Sequence, residues 1–232
     1  YNDLVTTSFY ASHIITAGGQ GGMVCTNNKK LVDKLKLLRG WGRSSAVFNE
    51  SEAIEKRFNT KVDGIDYDSK FIFTDIGYNF LPSEISAAFG LEQLKKLSKY
   101  KKIRERNFDK LHNFFYSFRE LRWLDNIGQP NAITPWLAYP LVLSDKAPFT
   151  RKQMQIHFEK NNVQVRTIFT GNITRQPVMK NMKWKGDKEF PEADHVMKNG
   201  MLVGAHQGMG DKEVNRIQEV FKLLAKKNKK NA

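Results

Sequence analysis

The 232-residue sequence contains a single cysteine, Cys25. One thiol closes no intrachain disulfide and cannot build a multi-cysteine metal site. No other spacing of histidine, aspartate and glutamate matches a metal-ligand pattern. No apolar run approaches the length needed to cross a bilayer, so no membrane partner is expected. Tyr1-Asn2-Asp3 is neither basic nor followed by a long apolar stretch, and no signal peptide is read there. These absences make a cytoplasmic location the simplest expectation. The missing initiator methionine points to a fragment or a processed chain. Also missing is any basic run interleaved with aromatics, the pattern of a single-strand nucleic-acid binder. The net charge of +14 is spread along helical segments and gathers at Lys226-Lys227-Asn228-Lys229-Lys230. It reads as a solvated, lysine-rich surface that attracts an anionic small molecule, with no nucleic-acid partner expected.

What is present is enough apolar material for a proper core, 40% hydrophobic and 12% aromatic. The sequence opens on a β-prone run, residues 6–16, that carries His13. A loop with four glycines among residues 18–22 follows, then a second β-prone run, Met23-Val24-Cys25-Thr26. Taken alone, this is a glycine-rich hairpin with one incidental polar residue. Leu31, Leu35 and Leu38 predict a helix ending near Gly40. Residues 41–70 read as a long polar surface excursion. One long helix, or two in succession, is predicted over residues 83–119, from Ile85, Ala88, Leu91, Leu94 and Leu97 and then Phe108, Leu111, Phe115 and Phe118.

Beyond Gly128-Gln129-Pro130 the texture changes to an alternation of strands and helices. Strands are predicted at residues 136–143, 163–169 and 201–203. A helix opens at a capping box of Thr150 with Gln153, another runs from Pro191 to Asn199, and a last one is capped by Asp211 with Val214, Ile217, Phe221 and Leu224 inward. The expected division is a first region, residues 1–122, and a small α/β domain, residues 123–232. No internal repeat is visible.

Four segments also carry a resemblance. Ser8-Phe9 followed by His13 and the glycine pair resembles the cofactor-lysine segment of the DegT/DnrJ/EryC1/StrS family of sugar aminotransferases, with histidine in the lysine position. Gly77-Tyr78-Asn79 with Ser86-Ala87-Ala88-Phe89-Gly90-Leu91-Glu92-Gln93-Leu94 is similar to a second family segment. Thr170-Gly171-Asn172-Ile173-Thr174-Arg175-Gln176-Pro177 and Lys198-Asn199-Gly200-Met201-Leu202-Val203-Gly204-Ala205-His206-Gln207 resemble loops of one branch, the nucleotide-sugar 3-dehydratases in which histidine replaces lysine. The family segment that normally precedes these motifs is not in this sequence. Gln20 stands where the family has glutamate, in a glycine loop one residue longer.

The resemblance implies the type I fold of pyridoxal-phosphate enzymes, here the end of the large domain and all of the small α/β domain. It implies pyridoxal 5′-phosphate or pyridoxamine 5′-phosphate as cofactor, held without a covalent link to the chain. It implies removal of the 3-hydroxyl from a nucleotide-linked 4-keto-6-deoxyhexose in deoxysugar and lipopolysaccharide biosynthesis. His13 becomes the acid/base, since an imidazole works in both directions near neutral pH. Ser8 and Asn79 become cofactor-phosphate contacts, Asn79 across a homodimer with shared sites. Arg166, Asn172, Arg175 and His206 are candidate substrate contacts. His112, His157 and His195 carry no partner pattern. With no cysteines in residues 41–58, an iron–sulfur cluster lacks ligands, and glutamate is the expected amino donor. A sugar aminotransferase and a non-catalytic remnant of the same fold are the alternatives.

Overall fold

The computed structural model describes residues 3–48, 52–120, 122–125, 134–186 and 189–228. The texture change at Gly128-Gln129-Pro130 and the end of the lysine run at Lys229-Lys230 lie outside them. Chain contacts divide the protein into two units, Tyr1–Lys95 and Lys96–Ala232.

In the first unit, β1 (Val5–Ser8) pairs antiparallel with β2 (Gly22–Cys25), Ser8 opposite Gly22. The β-prone run read over residues 6–16 forms a strand only as far as Ser8. There the Ser8 hydroxyl accepts the Tyr10 N–H at 3.2 Å, and the His13 N–H turns back to the Tyr10 carbonyl at 3.0 Å. Such local side-chain bonds compete with a sheet ladder. Helix α1 (Lys29–Arg39) starts at Asn28, whose side chain accepts the Lys30 and Leu31 N–H groups, and ends at Gly40.

The polar excursion holds more order than its composition announces. It contains α2 (Ile54–Phe58) and a hairpin of β3 (Thr60–Val62) with β4 (Ile65–Tyr67). Asp63 and Gly64 join those strands with φ of 50° and 82°. An Asp-Gly pair between apolar residues is a strong short-range hairpin signal, and it was legible at Val62-Asp63-Gly64-Ile65.

Helix α3 (Glu84–Glu120) is continuous. The division between the units falls inside it, N-terminal to the boundary expected at residue 122, because Phe108, Leu111 and Phe115 pack into the core of the second unit. That core rests on a three-stranded antiparallel sheet. Strand β5 (Ala138–Val142) is followed by α4 (Arg151–Lys160), β6 (Val165–Thr167), α5 (Pro191–Asn199), β7 (Gly200–Gly204) and α6 (Asp211–Asn228). The last strand, β7, lies in the middle, with Tyr139 and Val165 both opposite Val203.

The expected capping box opens α4. The Thr150 hydroxyl accepts the Gln153 N–H at 3.2 Å, and the Gln153 side chain accepts the Thr150 N–H at 2.7 Å. Asp211 is the first residue of α6, with its carboxylate on Lys110 at 2.7 Å. Its place as N-terminal acceptor is taken by Glu213, which receives the Gly210 N–H at 2.8 Å.

Apolar burial is uneven. Leu111, Phe115, Tyr139, Met154, Phe158, Met201, Val214 and Phe221 are fully buried in the second unit, whereas Ala17 is the sole buried apolar residue among the described residues of the first. Met23, Phe80, Leu81, Ile85, Phe89 and Leu91 of that unit are exposed. At about 25 cal/mol per Å² of buried apolar surface, the second unit carries nearly all the hydrophobic stabilisation.

Candidate functional site

Residues 9–21 form the structured loop between β1 and β2. The Thr16 hydroxyl donates to the Phe9 carbonyl at 2.9 Å and accepts the Gly19 N–H at 2.8 Å. Gly18, Gly19 and Gly21 all have positive φ, 68°, 97° and 103°, conformations that glycine adopts without steric cost. His13 is half-buried in this loop. Its ring meets Tyr10 edge-on at 6.0 Å, and no side-chain hydrogen bond reaches its ring nitrogens among the described residues. Ser8 is exposed at the end of β1, and its hydroxyl still has a proton to donate. No lysine occurs between residues 5 and 25, so the loop offers no amine to an aldehyde.

The first turns of α3 hold this loop in place. A Cβ on Gly90 would stand 3.3 Å from the Ala17 Cβ, and one on Gly18 would stand 3.6 Å from the Ser86 hydroxyl. The small residues of the Ser86-Ala87-Ala88-Phe89-Gly90 segment therefore let the helix approach the histidine loop closely. A cleft of about 1170 Å³ lies in the same unit, lined by Gln20, Met23, Leu35, Leu38, Tyr78 and Phe80 among others, but Ser8, His13 and Asn79 do not line it.

Asn79 is positioned by a backbone crossing. It bridges Gly40, while the Trp41 N–H donates to the Tyr78 carbonyl at 2.9 Å and the Phe80 N–H donates to the Arg39 carbonyl at 3.0 Å. Two glycines make the crossing possible. A Cβ on Gly42 would fall 1.8 Å from the Asp75 carbonyl oxygen, and one on Gly77 would fall 2.1 Å from the Gly42 nitrogen. The Asn79 side chain is exposed.

Next to the crossing lies a residue that sequence reasoning passed over. The Arg43 guanidinium sits over the rings of Trp41, Phe71 and Phe73 at 4.7, 5.8 and 5.7 Å, a cation–π arrangement. Its buried Nε has no hydrogen-bond partner. The signal was the lone arginine of Trp41-Gly42-Arg43 and the aromatic pair of Phe71-Ile72-Phe73, far apart in sequence.

The substrate candidates all lie in the second unit. Arg166 is exposed on β6, with one Nη donating to the Val165 carbonyl at 2.9 Å and no acidic partner among the described residues. Asn172 is buried. Its amide donates to Asp194 at 2.8 Å, and its oxygen accepts the Thr174 N–H at 3.0 Å and the Thr174 hydroxyl at 2.7 Å. Arg175 makes a two-pronged ion pair with the same Asp194. The polar groups of both residues are thus engaged inside the chain, where they lock the loop after β6 to α5.

The Arg175 guanidinium, with Asn172 second, lowers the Asp194 carboxyl to about 2. A carboxyl lowered on folding stabilises the fold above its ordinary range, and that contribution is lost as pH falls toward 2. Thermal unfolding of the wild type should therefore shift downward through this acid window. Asp194→Asn should flatten that part of the profile, and an unchanged slope would show that the pair contributes nothing to pH-dependent stability.

His206 is exposed after β7. Its Nδ1 accepts the Gly208 N–H at 3.1 Å, and its carbonyl accepts the Asn107 amide at 3.0 Å. Desolvation and then the Arg104 charge hold its imidazole below the ordinary range. Behind it, Arg104 and Asn107 are buried polar residues on α3, with Arg104 donating to the Trp136 and Leu137 carbonyls at 2.7 and 3.0 Å. Their signal was present: positions 104, 107, 108, 111 and 115 share one helical face, and two of them are polar. His195, read without a partner, contacts Asp125 at 2.5 Å and Asn199 at 3.2 Å, and His157 contacts the Val220 carbonyl at 2.9 Å. Among the described residues no group of three or more possible ligands could hold a metal ion, and no helix is long and apolar enough to cross a membrane.

With this geometry in view, known proteins agree on one family. The DegT/DnrJ/EryC1/StrS aminotransferase family matches residues 1–222. The dTDP-4-dehydro-2,6-dideoxy-D-glucose 3-dehydratase of Saccharopolyspora spinosa is 30% identical over 97% of this chain and 49% of its own. The solved GDP-4-keto-6-deoxymannose-3-dehydratase in a histidine-to-asparagine form with bound GDP-perosamine superposes with a TM-score of 0.80 at 26% identity, over 95% of this chain and 55% of its own. The Escherichia coli GDP-4-keto-6-deoxy-D-mannose-3-dehydratase with bound hydrated pyridoxal phosphate does so with a TM-score of 0.80 at 25% identity, over 95% and 54%. The chain spans about half the length of the curated relatives it matches, their C-terminal half. Its fold is that of the corresponding part of these aminotransferase-fold proteins. By motif order, by fold and by the match over nearly all its length, the chain belongs to the DegT/DnrJ/EryC1/StrS aminotransferase family.

Proposed function

We propose that this chain is the C-terminal part of a pyridoxal-phosphate-dependent nucleotide-sugar 3-dehydratase, acting on a 4-keto-6-deoxyhexose. One feature carries the reading: by the resemblance His13 takes the place of the family's lysine, no side-chain hydrogen bond reaches its ring nitrogens among the described residues, and no lysine occurs between residues 5 and 25. The residues present fit the cofactor. The Ser8 hydroxyl has a free proton for a phosphate oxygen, and Gly18, Gly19 and Gly21 leave the loop beyond it without side chains at three positions. When bound, the cofactor supplies an electron sink for the substrate carbons it is conjugated to.

The chain's own residues bind, orient and move protons around it. His13 takes and returns a proton at a ring nitrogen, the edge-on Tyr10 ring holding the imidazole in place. Asn79, presented by the Gly42–Gly77 crossing, contacts the cofactor phosphate of a second copy in a homodimer with shared sites. Arg166 is the substrate-facing cation. Asn172 and Arg175 shape the loop after β6 through Asp194, and His206, beyond the other end of β7, is a further candidate substrate contact. Glutamate is the amino donor, as expected for a chain with one cysteine and hence no iron–sulfur ligand set. The uncovered apolar side chains of the first unit fit a longer polypeptide as the active species.

The test is to incubate the intact protein with cofactor, treat it with borohydride, and weigh it. A dehydratase of this kind gains no covalent mass and removes the 3-hydroxyl from a nucleotide-linked 4-keto sugar in the presence of glutamate. A covalent adduct together with amino transfer would support the aminotransferase reading instead. Failure to bind cofactor at all would support the non-catalytic remnant.

A further inference from the structure

Strand β6 is followed by a tight turn, residues 168–171, in which the Gly171 N–H donates to the Ile168 carbonyl at 3.0 Å. Its second position is Phe169, with φ of +46°. Turns with positive φ at that position are dominated by glycine, asparagine and aspartate, because a side chain there crowds the backbone. A phenylalanine in this conformation is strained.

Burial does not compensate the strain. Phe169 is 72% exposed, the highest value among the large hydrophobic residues of the second unit. It stacks on no other ring among the described residues. The surroundings nevertheless over-determine the turn. The Thr167 hydroxyl donates to the Phe169 carbonyl at 3.1 Å, and the Gln176 amide donates to the Thr170 carbonyl at 3.0 Å. A Cβ on Gly171 would stand 2.5 Å from that of Met197, so the turn is seated directly on α5. A local rule is broken, rigidly, with no gain among the described residues, which is the signature of a functional position.

We infer that Phe169 is an aromatic platform for the base of a nucleoside diphosphate, whose phosphates face the Arg166 guanidinium. This rests on the nucleotide-sugar reading and adds the residue that holds the base. An open ring face and, three residues earlier, an exposed guanidinium without an acidic partner are the two chemistries such a ligand needs. Stacking on a ring is tolerant of base identity. The platform therefore accepts guanine and thymine alike and leaves their discrimination to other contacts.

The probes are GDP and dTDP, titrated calorimetrically into the intact protein. Phe169→Ala and Phe169→Gly should weaken both about tenfold, while Phe169→Tyr keeps wild-type affinity. Phe169→Gly should unfold at the same or a higher temperature than wild type, since it relieves the turn. Unchanged nucleotide affinity in all three variants would overturn the platform and leave the dehydratase reading intact. A lowered unfolding temperature for Phe169→Gly with unchanged affinity would show that the ring packs against protein, again overturning it. If the wild type binds neither nucleotide, the nucleotide-sugar reading falls and the platform with it.

Discussion

Replacing His13 by lysine in the intact protein should abolish dehydration and leave the cofactor covalently attached to the chain. Two separate chemical changes produce this result. No side-chain hydrogen bond reaches the His13 ring nitrogens among the described residues, and general acid–base catalysis by an imidazole is worth about 10²–10⁴-fold. A lysine in the same loop lacks that imidazole and supplies an amine that condenses with an aldehyde. His13→Asn separates the two effects, since it removes the proton carrier without adding an amine. It should lose about three orders of magnitude in rate and gain no mass after borohydride. The measurements are the turnover of a 4-keto sugar nucleotide and the mass of the reduced protein. Dehydration at the wild-type rate in either variant would remove His13 from the chemistry.

The second large effect is structural and lies at the backbone crossing that presents Asn79. Gly42→Ala and Gly77→Ala should each cost about 3 kcal/mol of stability in the intact protein. The added Cβ would meet the Asp75 carbonyl oxygen at 1.8 Å in one case and the Gly42 nitrogen at 2.1 Å in the other. Those neighbours are backbone, so no change of rotamer relieves the overlap, and the two chain segments must separate. Gly64→Ala is the control. Gly64 also has positive φ, 82°, but nothing lies within 4 Å of its Cβ position, so its cost should be about 1 kcal/mol from the backbone conformation alone. Urea midpoints at constant slope report the difference. Equal midpoints for Gly42→Ala and Gly64→Ala would show that the crossing is looser than its geometry implies. Because Asn79 bridges Gly40 beside the same crossing, cofactor affinity should fall with stability in the Gly42 and Gly77 variants and stay unchanged in Gly64→Ala.

These expectations separate what is written locally from what is not. The capping box at Thr150 and Gln153, the end of α1 at Gly40, the bounds of α5 and the inward stripe of α6 were all legible. Each depends on groups a few residues apart, whose geometry is set by the backbone itself. His13 and the glycine loop that follows it were legible as a short motif for the same reason. The hairpin at Asp63-Gly64 was equally local, and was hidden only by the polarity around it.

Other features required segments far apart to meet. Nothing near β7 says that it will lie between β5 and β6. Asn172 and Arg175 look like free donors in sequence, and it is Asp194 on α5 that occupies both. Asn107 looks like a misplaced polar residue until its amide is seen on the His206 and Met209 carbonyls at 3.0 and 3.1 Å. Gly42 and Gly77 become indispensable only when their segments cross, and Phe169 becomes conspicuous only when its turn is seen to be both strained and open. By itself the sequence determined the helices α1, α3, α4, α5 and α6, the motif order and the absence of lysine from residues 5–25, because propensity, capping and side-chain chemistry act over a few bonds. The tertiary structure decided which polar groups are engaged and which face solvent, because that depends on which surfaces meet across the fold.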